Sequence, residues 1–155
     1  MAEESADIKT ETSSQASQPP LVVNAQYIKD LSFEAPKAPL IFSAIKDEEP
    51  DVNININVNY AQLKDELYTE NNIYEVVLSI EATCTAGAET AFLLELEYAG
   101  VFTLNVDEET TRPVLLIECP RLLFPFARNI LADISRDGGF PPLMLGPVDF
   151  ATMYQ

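Results

Sequence analysis

The chain has 155 residues, of which 47% are apolar and 22% charged, so its length and composition suit one globular domain with a sizeable core. The 25 acidic residues against 9 basic ones give a net charge of -16. Such a charge repels polyphosphates, which argues against DNA, RNA and anionic membranes as direct partners. A basic or amphiphilic partner is expected instead.

The sequence also lacks the residues that most catalytic and metal sites need. It contains no His, which excludes Ser-His-Asp and Cys-His catalysis and His-ligated metals. Its 5 glycines form no phosphate-binding motif, and its 2 cysteines, Cys84 and Cys119, show no metal-type spacing. We therefore expect no metal and no cofactor, and two free thiols in a reducing, cytosolic compartment.

The N-terminal segment differs in composition from the rest. Residues 1–20 are acidic and polar, end in Pro19 and Pro20, and lack the apolar stretch of a signal peptide or a membrane span. Because so few apolar side chains cannot offset the entropy cost of ordering, we expect a disordered acidic tail. A single folded domain is then expected over residues 21–155, acting in the cytoplasm.

Four segments have the character of β-strands. Residues 21–31 are apolar and suit a strand, and residues 32–50 are predicted to be an unusually apolar loop because Pro36, Pro39 and Pro50 interrupt them. Residues 52–60 alternate Val, Ile and Tyr with four asparagines, which is typical of a strand with one wet face. Residues 73–83 and 90–104 alternate in the same way, and the link 86–89 predicts a hairpin between them, with a bulge or bend at Gly100.

The pattern changes to helix after Arg112 and Pro113. Leu122, Phe126, Ile130 and Ile134 recur every four residues, which predicts a helix over residues 120–137 with these side chains on its apolar stripe. Pro120 is expected at its entrance and Pro125 in or near its first turn. Residues 140–147 should be extended because of their prolines, and residues 148–155 can form at most about two helical turns. The fold class is therefore α+β, with helices on one side of the sheet or between protomers.

Two surfaces are candidates for function. Eleven acidic residues and no basic residue occur between Asp65 and Glu109, and Glu75, Glu81, Glu95 and Glu97 fall on the polar side of the hairpin. This is either a docking surface for a basic partner or a solvated face that keeps the protein soluble. The spacing of Glu95 and Glu97 also meets the crude requirement of a glycosidase pair, but the absence of Trp disfavours a sugar cleft.

The second candidate surface is apolar. Residues 33–45 and 140–150 are stiffened by prolines and rich in large apolar side chains. They either form a groove that binds extended peptide or cover the core as a lid.

Several strings, in order along the chain, strongly resemble the bacterial protein-export chaperone SecB family: YIKDLSFEAP at 27–36, ETAFLLE at 89–95, LFPFAR at 123–128 and GFPPLML at 139–145. The resemblance implies a four-stranded antiparallel sheet with one long and one short C-terminal helix, assembled as a dimer of dimers. It also implies a non-enzymatic, ATP-independent holdase that keeps preproteins unfolded and delivers them to the SecA motor. A regulator that binds one partner, such as an antitoxin, through the same groove is the alternative.

The resemblance assigns residues to both surfaces by position. The basic, zinc-containing C-terminal tail of SecA is expected to dock on Asp30, Glu34, Leu93 and Glu95. The second helix is shorter than the family pattern, which affects one wall of the client groove. The expected client-binding residues are Phe33, Pro39, Ile41, Phe42, Val52, Ile54, Ile56, Leu143 and Leu145.

Overall fold

A computed structural model describes residues 18–67 and 70–154, and it contains one four-stranded antiparallel sheet in the strand order β1-β4-β3-β2. The strands are β1 Leu21–Glu34, β2 Asp51–Gln62, β3 Ile73–Ala86 and β4 Glu89–Leu104. The helices are α1 Ile41–Asp47, α2 Glu108–Pro113, α3 Cys119–Asp137 and α4 Phe150–Tyr154, and a π-helical segment, Val114–Glu118, joins α2 to α3. The α+β class, the antiparallel sheet, the long helix and the short C-terminal helix are confirmed.

Alternation of apolar and polar residues sends opposite side chains to opposite faces of the sheet. Leu78 and Ile80 of β3 and Leu96 of β4 are buried on the face that α3 covers, where Leu123 and Leu131 of the helix meet them. Among the described residues, the core lies between α3 and this one face of the sheet, and the other face carries no helix. The hairpin between β3 and β4 turns through Gly87, whose φ of 62° lies in the left-handed region.

The predicted loop at residues 32–50 is wrong in two respects. Strand β1 continues to Glu34, and a seven-residue helix, α1, runs from Ile41 to Asp47. The three prolines lie outside α1, so they limit its length without preventing it. Burial of Ile41 in the core stabilises a helix that is too short to be stable alone.

The long helical region begins earlier than predicted, at Glu108. The side chain of Asp107 caps it by accepting a hydrogen bond of 3.0 Å from the backbone N–H of Thr110. Pro113 has no N–H to continue the α-helical hydrogen bonds, and the π-helical segment follows it directly. Pro125 lies inside α3, not in its first turn.

The apolar stripe of α3 is also rotated from the prediction. Leu123, Ala127 and Leu131 are buried against the sheet, whereas Leu122 and Phe126 are exposed. The sequence is apolar on more than one side of this helix, so the four-residue spacing did not identify the side that packs on the sheet.

Gly100 does not form the predicted bulge, since β4 keeps its register there with both β1 and β3. A Cβ at this position would lie 2.8 Å from Cε2 of Phe102 and 3.0 Å from Cδ2 of Leu123. Glycine is therefore needed because α3 packs closely on the strand. The register shifts of the β1–β4 pair fall elsewhere, between Val23 and Ala25 and between Ile28 and Asp30.

Both cysteines are free and buried, as predicted. Burial, with a smaller effect of Glu118, raises the pKa of the Cys119 thiol to about 12.

The predicted tail lies outside the described residues apart from its last three, of which Pro19 and Pro20 accept hydrogen bonds from Asn105. Within the described ranges, no helix is both long and apolar enough to cross a membrane.

Candidate binding surfaces on the two faces of the sheet

The helix-free face of the sheet brings together carboxylates from three strands. Asp30 of β1 pairs with Glu97 of β4, and Glu81 of β3 pairs with Glu95 of β4. Glu34 extends the group to the end of β1. All five side chains are half-buried or exposed. We call the surface formed by Asp30, Glu34, Glu81, Glu95 and Glu97 the acidic face.

The carboxylates of the acidic face are not neutralised by nearby cations. Within the part of the chain that the structure describes, none of them forms an ion pair. Like charges directly opposite each other on neighbouring strands destabilise a sheet. The acidic face therefore opposes folding slightly and attracts positive charge strongly.

Glu75 lies on the same side of the sheet but is neutralised. Its carboxylate is 2.7 Å from Nζ of Lys29 and also accepts a hydrogen bond from the Tyr27 hydroxyl. Partial burial alone would raise the pKa of Glu75, but the bonds from Lys29 and Tyr27 and the charge of Lys29 lower it below its usual value. Glu75 therefore differs from the carboxylates of the acidic face, with which the sequence analysis grouped it.

The acidic face contains a concave polar surface. A cavity of about 450 Å³ opens there, with carboxylates toward β4 and the asparagines of β2 toward the sheet edge. Such a concavity suits an extended basic segment better than a flat surface does. Its polar lining consists of Asp30, Asn55, Asn57, Asn59, Ser79, Glu81, Glu95 and Glu97.

All four residues predicted to dock SecA lie on the helix-free face and are exposed. Register places Glu34 directly opposite Leu93, and Glu95 opposite Ser32. Leu93 is 37% exposed and adds an apolar contact point beside the carboxylates. The sequence prediction did not include the β2 asparagines, which reach this surface only through the sheet register, although their alternation had placed them on the wet face.

The opposite side of the sheet carries an apolar surface around α1. One cavity of about 470 Å³ is formed mainly by the segment before α1 and by Ala44, and a second of about 150 Å³ lies between α1 and the extended segment after α3. We call the surface formed by both cavities the apolar groove. Its lining includes Pro36, Pro39, Leu40, Ile41, Ala44, Ile45, Val52, Phe92, Phe140, Leu143 and Met144.

A cluster of phenylalanines lies beneath this groove. The ring centroid of Phe140 is 4.9 Å from that of Phe92 and 6.2 Å from that of Phe33. Helix α1 adds Phe42, whose centroid is 5.1 Å from that of Phe140. Three rings thus come from the sheet and the segment after α3, and the fourth comes from α1.

The residues predicted to bind clients are distributed unevenly around the groove. Pro39 lines the larger cavity and Val52 and Leu143 the smaller one. Ile41 borders the larger cavity but is only 2% exposed, so its side chain belongs to the core in this structure. The other predicted residues, Phe33, Phe42, Ile54, Ile56 and Leu145, are half-buried and pack against the core, and they line neither of the two cavities.

Phe92 and Cys84 line the smaller cavity and were missed in the sequence analysis. Both lie in strands far from the two segments that predicted the groove. Alternation offered a signal for Phe92, because it is adjacent to Leu93 and must therefore point to the opposite face.

Comparison with known proteins identifies the family to which this chain belongs. The family model described as preprotein translocase subunit SecB matches residues 14–155. Protein-export protein SecB of Granulibacter bethesdensis is 48% identical over 162 residues, which cover 100% of this chain and 92% of the relative. The chain belongs to the SecB family. The corresponding protein of Paramagnetospirillum magneticum is 53% identical over 137 residues, covering 88% of this chain and 84% of the relative.

Membership of the SecB family makes this chain a protein-export chaperone. Its fold agrees with a solved structure, the SecB-like chaperone Rv1957 of Mycobacterium tuberculosis in complex with a ChAD peptide from the Rv1956 HigA1 antitoxin. The TM-score is 0.68 at 14% identity, with coverage of 84% of this chain and 91% of that one. That likeness concerns the fold.

Proposed function

We propose that this SecB protein is an ATP-independent holdase that keeps preproteins unfolded in its apolar groove and delivers them to the SecA motor, which docks on the acidic face. The observation that carries the proposal is that the two surfaces lie on opposite sides of one sheet. Adjacent residues of β4 serve both, since Phe92 lines the groove and Leu93 lies among the carboxylates. A client and the motor can therefore be bound at the same time.

The apolar groove has the chemistry that an unfolded client needs. A client presents apolar side chains that are hidden after folding, and transferring them from water onto a phenylalanine floor is favourable for almost any sequence. The described residues that line the smaller cavity are all uncharged, so binding there depends on burial and not on a particular sequence. This accounts for broad client choice and for modest energy per contact.

The acidic face is complementary to a basic tail such as that of SecA. Its carboxylates lie side by side without internal cations, so a basic segment relieves their mutual repulsion when it binds. Because this contact is led by charge and the client contact by apolar burial, high salt should weaken motor docking more than client binding.

The proposed assembly is a dimer of dimers in the cytoplasm. Exposed apolar side chains on the outer surface of α3 and on β1, namely Leu122, Phe126 and Ile28, support burial between subunits. The Phe126 ring stacks beside Tyr98 with centroids 6.3 Å apart, so this surface is continuous with the sheet. Grooves on several subunits would hold one long client at many weak points, which adds affinity through multivalency.

The alternative, a regulator that binds a single antitoxin, has less support. The relatives that share 48% and 53% of their residues with this chain are named protein-export proteins, whereas the antitoxin-bound chaperone shares 14%. The breadth of clients separates the two functions, because a regulator should protect one partner and not a range of unfolded preproteins.

Light scattering by a reduced, unfolding preprotein tests the holdase function without ATP. The chaperone should suppress aggregation, and no suppression at a several-fold excess would refute the proposal.

Motor docking is tested with Glu95→Lys, which should weaken binding of a SecA tail peptide while leaving client binding nearly unchanged. Glu109→Lys is the matched control, since it makes the same charge change in the first turn of α2, outside the acidic face. Equal peptide affinity in the parent and both variants would remove the docking assignment.

A further inference from the structure

Helix α1 occupies part of the groove that it borders. Its first residue, Ile41, is buried in the core cluster, and the ring of Phe42 packs against both Phe140 and Gly139. The buried side chain of Ile41 cannot touch a client while α1 stays in place. Ile41 borders the larger cavity, whereas Phe92 and Phe140 line the smaller one.

We propose that α1 is an intramolecular plug, which occupies the client site in the empty chaperone and is displaced when a client binds. The inference rests on the proposed holdase function. It adds a conformational step to that function, and it assigns Ile41 as a side chain that a client replaces and does not contact.

The attachment of α1 to the domain is suited to release. The helix has seven residues and no side-chain cap at its N-terminus, and helices of this length are not stable without tertiary contacts. Before the helix, Lys37 pairs with Glu89 at 3.8 Å, but both side chains are more than half exposed, so the ion pair holds weakly. After it, the Glu48 side chain packs over Gly87 at the tip of the β3–β4 hairpin.

The chemistry of α1 also fits an exchange with clients. Its sequence, IFSAIKD, contains Ile41, Phe42 and Ile45, which pack in or against the core, and these are the side-chain types that an unfolded preprotein offers. Replacing the plug with a client substitutes one set of apolar contacts for another, so the floor of Phe33, Phe92 and Phe140 stays covered in both states. The empty chaperone thereby avoids a large exposed apolar patch that would promote its own association.

Replacement of Ile41 tests the plug, because loosening a plug raises the affinity for a client whereas removing a contact residue lowers it. A short, fluorescently labelled synthetic peptide rich in Leu and Phe serves as the probe, with anisotropy as the readout. When only a fraction of the protein is open, the apparent Kd equals the intrinsic Kd divided by that fraction, so a protein that is about one tenth open gains up to about 10-fold in affinity when the plug is loosened. Ile41→Ala should therefore bind the peptide more tightly than the parent. Leu67→Ala is the control, since Leu67 is 85% exposed and lies outside both α1 and the groove.

Hydrogen exchange of the parent protein provides a second readout that needs no variant. The amides of residues 41–47 should exchange faster in the presence of the peptide, because the displaced helix loses its tertiary contacts. Slower exchange with peptide, or equal or weaker binding by Ile41→Ala, would overturn the plug while leaving the holdase in place. If neither the parent nor the variants bind the peptide, both the holdase and the plug are refuted.

Discussion

Removing one carboxylate from the acidic face should stabilise the fold while it weakens motor docking. Glu95 lies directly opposite Glu81 in the β3–β4 ladder, and the described structure provides no cation to offset the pair. In Glu95→Gln the side chain keeps its size and loses its charge. The repulsion that the folded state carries is thereby removed.

The register sets the size of the effect. Opposed residues in an antiparallel pair have Cβ atoms about 4.5–5.5 Å apart, which brings the two carboxylates to roughly 6 Å from each other. Two unit charges at about 6 Å in water repel each other by roughly 0.7 kcal/mol. A Debye length of about 8 Å at physiological salt reduces this by roughly half. We therefore expect Glu95→Gln to have a higher free energy of unfolding than the parent. The difference should be about 0.7 kcal/mol at low salt and about 0.3 kcal/mol at physiological salt.

Urea unfolding at low and high salt measures this change, and titration with the SecA tail peptide measures the cost in docking. Loss of one charge-assisted hydrogen bond costs about 1.5–3 kcal/mol, so the affinity for the peptide should fall at least about 10-fold. Glu108→Gln is the matched control, because it removes the same charge from the first turn of α2. There a carboxylate interacts favourably with the helix N-terminus, so the control should lose about 0.3–1 kcal/mol.

The reasoning is refuted if Glu95→Gln is less stable than the parent, or if its gain in stability is the same at about 1 M salt as at low salt. Equal peptide affinity in the variant and the parent would separately remove Glu95 from the docking site.

Three further predictions concern the scaffold. Gly100→Ala should lose about 1–3 kcal/mol of stability in urea unfolding through overpacking against Phe102, whereas Gly146→Ala, with nothing within 4 Å of its added Cβ, should match the parent. Hydrogen bonds from Thr110 lower the pKa of Asp107 below its usual 3.8. The ionised Asp107 therefore stabilises the fold above that pH, and this stabilisation is lost as the pH falls through the lower pKa of the folded state. The melting temperature of the parent should therefore fall more steeply with acid than that of Asp107→Asn, and parallel profiles would contradict this. Cys119, buried and with a pKa of about 12, should react with a thiol reagent only after unfolding, and rapid labelling of the native protein would show that the thiol is accessible.

The antiparallel strands and their two faces could be predicted from the sequence because alternation is a local property. Each of residues 52–60 goes to one face or the other whatever the strand pairs with, so the wet asparagine face and the apolar face followed from the order of residues alone. The strings shared with the SecB family likewise predicted, by position, that Asp30 and Glu95 take part in docking. The structure then brings both to the same face.

Short or multiply apolar elements could not be predicted in the same way. Residues 41–47 are helical because Ile41 finds a place in the core, and a segment of that length has no stable conformation of its own. The buried side of α3 was also undetermined, since Leu122 and Phe126 compete with Leu123 and Ala127 in hydrophobicity and only the position of the sheet selects between them.

The sequence by itself therefore determined an acidic, α+β chaperone of the SecB family with one polar and one apolar sheet face. The tertiary structure alone decided that Glu81 opposes Glu95, that Glu75 is neutralised by Lys29, and that Ile41 is buried in the core instead of lining the groove. The physical reason is the range of the interactions. Alternation and composition act between neighbours in the chain, whereas charge pairing and burial depend on which distant residues the strand register and the core bring together.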